Sequence, residues 1–155
     1  MSKVNFTAKD FRGYKQSTLP KIDEILSRVG PKTSCGEYLR RYWHPVSLTS
    51  DISKTPKEIR ILGEDLVIFK TPKNNIGLVH KNCPHRRASL VYGKTEERGI
   101  RCCYHGWLFS TDGEVLDTTG EDPESKSASN LRKKFKLGAY PIIEFNGLVF
   151  TYMGP

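Results

Sequence analysis

Two short motifs carry residues that bind transition metals. Cys83 and His85 flank a single proline, Cys102 and His105 flank two residues, and sixteen residues separate His85 from Cys102. If two neighbouring loops present these motifs, two thiolates and two imidazoles meet at one site. A 2Fe–2S cluster can use this ligand set, with the two Cys on one iron and the two His on the other. The spacing therefore predicts both a cofactor and a reaction, one-electron transfer.

A structural zinc ion is the alternative, because zinc also binds two Cys and two His in a tetrahedron. Zinc sites usually pair like ligands, as C-x₂₋₄-C and H-x₃₋₅-H, whereas each motif here mixes the two types. Gly106 permits a tight loop after His105, and Trp107 can cover a cluster. These features favour iron and sulfur. Two imidazoles in place of two thiolates also make a cluster less negative, which raises its reduction potential.

The remaining Cys and His residues lack a partner at ligand spacing. Cys35 is expected to be a packed or free thiol, and the side chain of Cys103 is expected to point away from the site. His44 is expected to be structural. Cysteines in a chain without an export signal favour metal or redox use over disulfides. Because the chain has neither an apolar signal segment nor an apolar run of about 20 residues, we expect a cytoplasmic protein with no membrane span.

Positive charge is unevenly distributed along the 155-residue chain, whose net charge is +8. Residues 1–100 contain 19 Lys and Arg against 10 Asp and Glu, and residues 101–155 contain 6 against 7. Within the second part, six acids lie in 112–124 and five bases in 126–136. A solvated basic surface explains this pattern, and so does a docking face for an acidic electron donor. Nucleic acid binding fits poorly, since no binding motif accompanies the charge.

Two short helices are predicted near the N-terminus. An apolar stripe at helical spacing predicts a packed helix that Gly30-Pro31 ends. The stripe consists of Ile22, Ile25, Leu26 and Val29. A capping box of Ser34 and Glu37 predicts a second helix over residues 35–41, after which Pro45 stops any continuation.

From residue 58 onward the pattern is typical of β-structure. Apolar runs are separated by turn residues, and Asn146-Gly147 is the strongest hairpin signal. A turn is also predicted at residues 63–65, and a surface loop over the acidic, Ser-rich residues 120–130. The predicted strands are 58–62, 66–70, 76–80, 107–109, 115–116, 140–144 and 148–152. This pattern predicts a mostly β domain of small antiparallel sheets with two metal-binding loops, preceded by a short helical segment.

Several segments together resemble one known family. They are residues 83–90, 100–109, 112–113, 40–46, 62–67 and 152–155. They resemble the Rieske domain of aromatic-ring-hydroxylating oxygenases, and most closely the branch that contains phthalate 4,5-dioxygenase oxygenase components. The likeness covers residues 28–155. Cys103 departs from the pattern, since Pro or Val is more usual there, which puts the rigidity of that loop in question.

The resemblance implies roles for the four motif residues. Cys83 and Cys102 would bind one iron of a Rieske-type 2Fe–2S cluster, and His85 and His105 the outer iron. In the family, such a cluster passes electrons from a reductase or ferredoxin to a mononuclear non-haem Fe(II). That iron lies in a catalytic domain, which can belong to a neighbouring subunit of a trimer.

The family's second pair of His, which binds the mononuclear iron, has no counterpart in this sequence. We therefore expect the chain to be the electron-transfer part of an oxygenase subunit, with the catalytic domain absent. An N-terminal arm, extended over residues 1–19, and short helices are expected over 1–45, and the Rieske domain over 46–155. A stand-alone Rieske-type ferredoxin that diffuses between partners is the alternative.

Respiratory Rieske proteins are the other branch that the sequence can be compared with. They carry an extra Cys in each cluster loop, joined in a disulfide, and a membrane anchor. Ala88 and Tyr104 occupy those positions here. The resemblance therefore favours an oxygenase-type cluster toward the lower end of the Rieske potential range.

Overall fold

The computed structural model describes residues 21–155, in which ten strands form three antiparallel sheets with three short α-helices around them. The strands are β1 (Trp43–Leu48), β2 (Lys57–Ile61), β3 (Glu64–Lys70), β4 (Ile76–His80), β5 (Lys94–Glu96), β6 (Gly99–Arg101), β7 (Leu108–Phe109), β8 (Val115–Asp117), β9 (Ile142–Phe145) and β10 (Leu148–Tyr152). The helices are α1 (Glu24–Ser27), α2 (Ser34–Leu39) and α3 (Lys126–Lys134), with 3₁₀ turns at Thr49–Asp51 and Leu90–Tyr92. The predicted mostly β, antiparallel fold is confirmed. The arm predicted over residues 1–19 lies outside the described residues.

Sheet 1 has the order β1-β10-β9. The predicted hairpin between β9 and β10 is present, and Asn146 and Gly147 have φ values of 49° and 78°, as a type I′ turn requires. β1 is not among the predicted strands, because Pro45 is interpreted in the sequence as a stop signal for the preceding helix. Pro45 instead lies inside β1. An edge strand tolerates this residue, since its missing N–H removes no bond from the interior of the sheet.

Sheet 2 has the order β2-β3-β4, and its central strand is buried on both faces. Leu66 and Ile68 point into one apolar core, and Val67 and Phe69 into the other. The turn that precedes β3 is formed by residues 62–63, both at positive φ. The turn predicted over 63–65 is wrong, because Glu64 and Asp65 already belong to β3. A two-residue turn matches the twist of the paired strands, so β3 begins at once.

Sheet 3 has the order β5-β6-β7-β8 and presents one of the two motifs. β6 pairs Arg101 with Leu108 of β7, so the segment 102–107 projects from the end of this strand pair. β5 and β6 are absent from the sequence prediction. Each has only three residues, too few for an alternating pattern to be visible.

Two apolar cores lie on either side of sheet 2. Core 1 joins sheets 2 and 3, and core 2 joins sheets 1 and 2. The buried members of core 1 are Val67, Phe69, Val79, Cys83, Leu90, Ile100, Cys102, Trp107, Phe109, Val115 and Leu137. Those of core 2 are Ile52, Leu66, Ile68, Leu78, Val149 and Met153. Both motif cysteines therefore belong to core 1, and the site is built on packing.

The first two helices differ from their prediction. α1 is a single turn, and Ile22, Ile25 and Leu26 are 81%, 67% and 70% exposed, so the prediction of a packed stripe is wrong for these residues. A one-turn helix presents too short a face to dock on a core. α2 is capped by Thr33, whose Oγ1 accepts from the N–H of Gly36 at 3.2 Å, one residue before the predicted cap.

α3 lies where the sequence predicts a surface loop. Ser125 caps this helix by accepting from the N–H of Ala128 at 3.0 Å, and Ala128 is fully buried. The acidic, Ser-rich stretch therefore ends at a helix cap. The last turn of α3 is basic, which is favourable beside the negative end of the helix dipole. None of the helices in residues 21–155 is long and apolar enough to cross a membrane.

Candidate metal centre

The two motifs lie in loops with the same backbone bonding. Loop 1 (83–88) is closed by bonds from Cys83 N to Ala88 O and from Arg87 N to Cys83 O, both 2.9 Å. Loop 2 (102–107) repeats them, from Cys102 N to Trp107 O at 2.8 Å and from Gly106 N to Cys102 O at 3.1 Å. The residue four positions after each Cys is left-handed, with φ of 62° at 87 and 72° at 106. Each motif thus forms a tight loop that presents its Cys at the base.

Neighbouring strands hold the bases of both loops together. Loop 1 follows β4, and a bridge between Asn82 and Ser89 closes its base. Loop 2 joins β6 to β7. Because β4 and β6 both contribute to core 1, packing of that core fixes the distance between the two loops.

The two thiols lie inside the protein. Cys83 is 2% exposed and Cys102 is 4% exposed, both belong to core 1, and Cys102 is near enough to raise the pKa of Cys83. Burial raises the pKa of the Cys83 thiol to about 11, and the nearby backbone N–H groups of His85 and Arg86 oppose that shift. The same N–H groups would stabilise a metal-bound thiolate, which carries negative charge.

The two imidazoles lie on the solvent side of the thiols. The rings of His85 and His105 have centroids 4.8 Å apart, and His105 is exposed. The indole of Trp107 stacks on His85 at 4.6 Å with an interplanar angle of 7°. Burial lowers the pKa of His85, and the charges of His105 and Arg86 lower it further. These effects favour the neutral imidazole, which is the form that binds a metal.

This separation of ligand types distinguishes the two candidate metals. A single zinc ion needs all four ligands around one point. Among residues 21–155, no group of three or more His, Cys, Asp or Glu is placed to hold one metal ion. A buried thiol pair below an outward imidazole pair offers two ligands to each of two metals. The four residues therefore fit the ligand set of a 2Fe–2S cluster in which two Cys bind one iron and two His bind the other.

The other Cys and His residues lie away from this arrangement. Cys35 is half-buried on α2, and Cys103 is exposed on loop 2. The Nε2 atom of His44 lies 2.7 Å from the carbonyl of Leu39, which supports the structural role expected for it. His80 bonds the carboxylate of Glu64 at 3.1 Å.

Two further groups near the site are not apparent from the motifs. Phe135, which follows α3, packs edge-on against Trp107 with centroids 5.4 Å apart. Arg101 forms a two-point ion pair with Glu96, at 2.9 and 3.0 Å, and bonds Asp117 at 2.8 Å. These contacts raise the pKa of Arg101 and lower that of Glu96. The contact of Phe135 depends on how α3 packs, and the contacts of Arg101 depend on strand pairing, so the motifs indicate neither.

Two loops with the same backbone bonding place a buried thiol pair beneath an imidazole pair, which is an arrangement that suits an iron–sulfur domain. Residues 42–141 match the family model described as Rieske [2Fe-2S] domain, and the chain belongs to this family. Its cofactor is accordingly one 2Fe–2S cluster.

Named relatives are oxygenase subunits. The chain is 50% identical over 149 residues to the tert-butanol monooxygenase / tert-amyl alcohol desaturase oxygenase subunit of Aquincola tertiaricarbonis, covering 94% of this chain and 31% of that protein. It is 41% identical over 139 residues to the phthalate 4,5-dioxygenase oxygenase subunit of Pseudomonas putida, covering 88% and 31%. The chain thus spans about a third of the length of these relatives.

A solved structure shows a similar fold beside a redox partner. It is the reduced complex between oxygenase and ferredoxin in carbazole 1,9a-dioxygenase, with a TM-score of 0.61 and 30% identity. The match covers 75% of this chain and 29% of that one. The similarity to Rieske oxygenases predicted from the motifs is therefore confirmed.

Proposed function

We propose that this chain is the electron-transfer part of a Rieske oxygenase subunit, in which Cys83 and Cys102 bind the inner iron and His85 and His105 the outer one. The observation that carries the proposal is the buried thiol pair beneath the outward imidazole pair. When bound, the cluster accepts and releases one electron at a time. The proposed division is an N-terminal arm with short helices over 1–45 and the Rieske domain over 46–155.

The surrounding residues divide the tasks of the site. The core holds the two thiols away from water, which protects the sulfur ligands. The exposed His105 and the half-buried His85 face outward, so a partner can approach the imidazole side of the site. A groove of about 410 Å³ beside His85 is lined by Trp107, Lys134 and Phe135 among others. Electron entry and exit are proposed at this face.

The exposed apolar residues on the outer face of sheet 1 favour a domain within a larger assembly rather than a freely diffusing ferredoxin. On β10, Val149 and Thr151 are fully buried beneath the sheet. The opposite face is also apolar, and its exposed residues are Trp43, Leu48, Ile143, Phe145 and Leu148. A sheet with one face in water normally carries polar residues there, and a contiguous apolar patch marks a contact surface. We propose that the catalytic part of the oxygenase covers this face.

The basic end of α3 supports an acidic electron donor. Arg132, Lys133 and Lys134 form the last turn of the helix, and Lys136 follows. Phe135, within this basic segment, contacts Trp107, which in turn stacks on His85. Complementary charge speeds the encounter of redox proteins. We propose that a reductase or ferredoxin with an acidic surface docks here.

The substrate and the assembly belong to the whole oxygenase. The family likeness supports a mononuclear Fe(II) in the catalytic part, a trimer in which a cluster serves a neighbouring subunit, and an aromatic substrate. The relatives' names include both a tertiary alcohol and phthalate. Because the chain spans only about a third of these relatives, we assign a substrate only to the oxygenase as a whole. We propose a cytoplasmic location.

Anaerobic reconstitution with iron and sulfide tests the electron-transfer function. The expected product holds two irons and two sulfides per chain and takes up one electron in a reductive titration. A protein that is purified with one zinc per chain and stays colourless after the reconstitution contradicts the proposed function. The transcript beyond the Pro155 codon separates the two Rieske alternatives. An open frame that encodes a second His pair supports the oxygenase, whereas an immediate stop codon supports the stand-alone ferredoxin.

A further inference from the structure

The residue immediately before each ligand Cys bonds back to its own loop. The Nδ2 atom of Asn82 donates to the carbonyl of Arg87 at 2.9 Å. The Nη1 atom of Arg101 donates to the carbonyl of Gly106 at 2.5 Å. In both loops the donor residue immediately precedes the Cys, and the acceptor residue lies four positions after the Cys. Two chemically different side chains therefore make the same contact, which we call the clamp.

Each clamp acts on the left-handed residue of its loop. The φ angle is 62° at Arg87 and 72° at Gly106. This conformation is disfavoured for an L-residue with a Cβ atom, so Arg87 needs contacts that hold it. The same residues donate the N–H that closes the loop onto the Cys carbonyl. Each clamp bonds the carbonyl of the residue that follows the ligand His by one or two positions, so it fixes the backbone of the loop just after that His.

The clamp of loop 2 is the more strongly supported of the two. Glu96 holds the guanidinium of Arg101 at two points, and Asp117 bonds the same Nη1 atom that reaches Gly106. The Oγ1 atom of Thr119 also donates to the Gly106 carbonyl, at 2.8 Å. Bonds that involve a charged group are about twice as strong as neutral ones. The clamp of loop 1 depends on a neutral amide.

We propose that Asn82 and Arg101 are positioning residues for the cluster. They hold the two left-handed turns so that the ligand atoms of both loops keep their places. This inference rests on the proposed cluster function. It predicts that removing either clamp changes the cluster itself as well as the stability of the fold, because contacts beyond the ligands set both affinity and reduction potential.

The test compares two clamp variants with two controls. Asn82→Ala and Arg101→Met remove the clamps. Asn75→Ala and Lys73→Met change the turn between β3 and β4, and β4 runs from this turn toward loop 1. Lys73 makes an exposed ion pair with Glu97 at 2.9 Å, so its variant removes one positive charge and one ion pair far from the loops.

Three quantities are measured on the cluster-loaded protein: the rate of cluster loss to a chelator, the reduction potential and the electron paramagnetic resonance (EPR) spectrum. Asn82→Ala is expected to speed cluster loss about 10-fold and Arg101→Met about 100-fold. Both should change the potential and shift the g values, because displaced ligand atoms alter the surroundings of the cluster. The controls should match the wild type in all three.

The outcomes separate the clamp from the proposed function. Potentials and g values equal to the wild type overturn the clamp, even if cluster loss is faster, since stability alone explains that result. If Arg101→Met does not fold, Asn82→Ala decides, because it removes one bond of a half-buried amide. A wild-type protein that takes up no cluster refutes the proposed function and the clamp with it. A loaded wild type with unchanged variants refutes the clamp alone.

Discussion

Trp107 connects the site to the core, and its replacement by Ala tests whether packing holds the site. The indole is 5% exposed, lies flat on the ring of His85 at 4.6 Å and meets the edge of Phe135 at 5.4 Å. Trp107→Ala removes all of these contacts and leaves a cavity below a proposed ligand. We expect the variant to lose both stability and its hold on the cluster.

The size of the loss follows from the burial. Replacing a buried Trp by Ala costs about 3–5 kcal/mol, out of a total of about 5–15 kcal/mol for a typical domain. With a urea m-value of about 2 kcal/mol/M, the unfolding midpoint should fall by about 1.5–2.5 M. Trp107→Phe, which keeps an aromatic ring at this position, should lose less than half of that.

The second tryptophan provides a matched control. Trp43 is 44% exposed on the outer face of sheet 1, so Trp43→Ala should cost less than about 1 kcal/mol. Urea unfolding followed by circular dichroism, with iron and sulfide held constant, measures both variants. The account also predicts that only Trp107→Ala speeds cluster loss to a chelator. Equal midpoint shifts for the two variants, or an unchanged rate of cluster loss, would refute this view of the site.

Three further predictions concern the ligands, the ion pairs and the docking face. His105→Cys should keep a cluster but lower its potential, since a thiolate replaces a neutral ligand; an equal potential in redox titration contradicts the ligand assignment. The pKa of Glu96 lies below its ordinary 4.5 because of Arg101, so its ion pair stabilises the fold above that pH and the stabilisation is lost as the pH falls through the lowered value. Urea midpoints should thus fall more steeply on acidification in the wild type than in Glu96→Gln, and parallel curves count against the pairing. Reduction by an acidic ferredoxin should slow with added salt, and Lys133→Glu should slow it at low salt. Stopped-flow rates that change in neither experiment argue against docking at α3.

The sequence predicts the elements with long or well-marked patterns. The strands Ile76–His80 and Leu148–Tyr152 have the bounds that the pattern indicates, and Asn146-Gly147 forms the turn expected of it. The two mixed motifs also indicate the four residues that meet at the site. Their spacing cannot show which ligand types pair. Burial supports the proposed pairing of like ligands, because core 1 includes the two cysteines and not the two histidines.

Elements that depend on tertiary contacts are not visible in the sequence. The three-residue strands β5 and β6 are too short for a pattern, and α3 follows a stretch whose composition is typical of a loop. The apolar stripe near α1 is predicted to pack but is exposed, because helical spacing alone does not supply a surface to pack on. The partners of Arg101 come from the neighbouring strand β5 and from β8, which lies beyond β7, so these contacts depend on strand register.

Pulsed EPR of the reduced, reconstituted protein can show whether two cysteines and two histidines bind one 2Fe–2S cluster. We expect an average g value below that of the free electron and two strongly coupled histidine nitrogens. We also expect that His105→Cys removes one of those nitrogens and leaves the one from His85. A reduced cluster with no coupled nitrogen, or the same two nitrogens in the variant, would contradict the account.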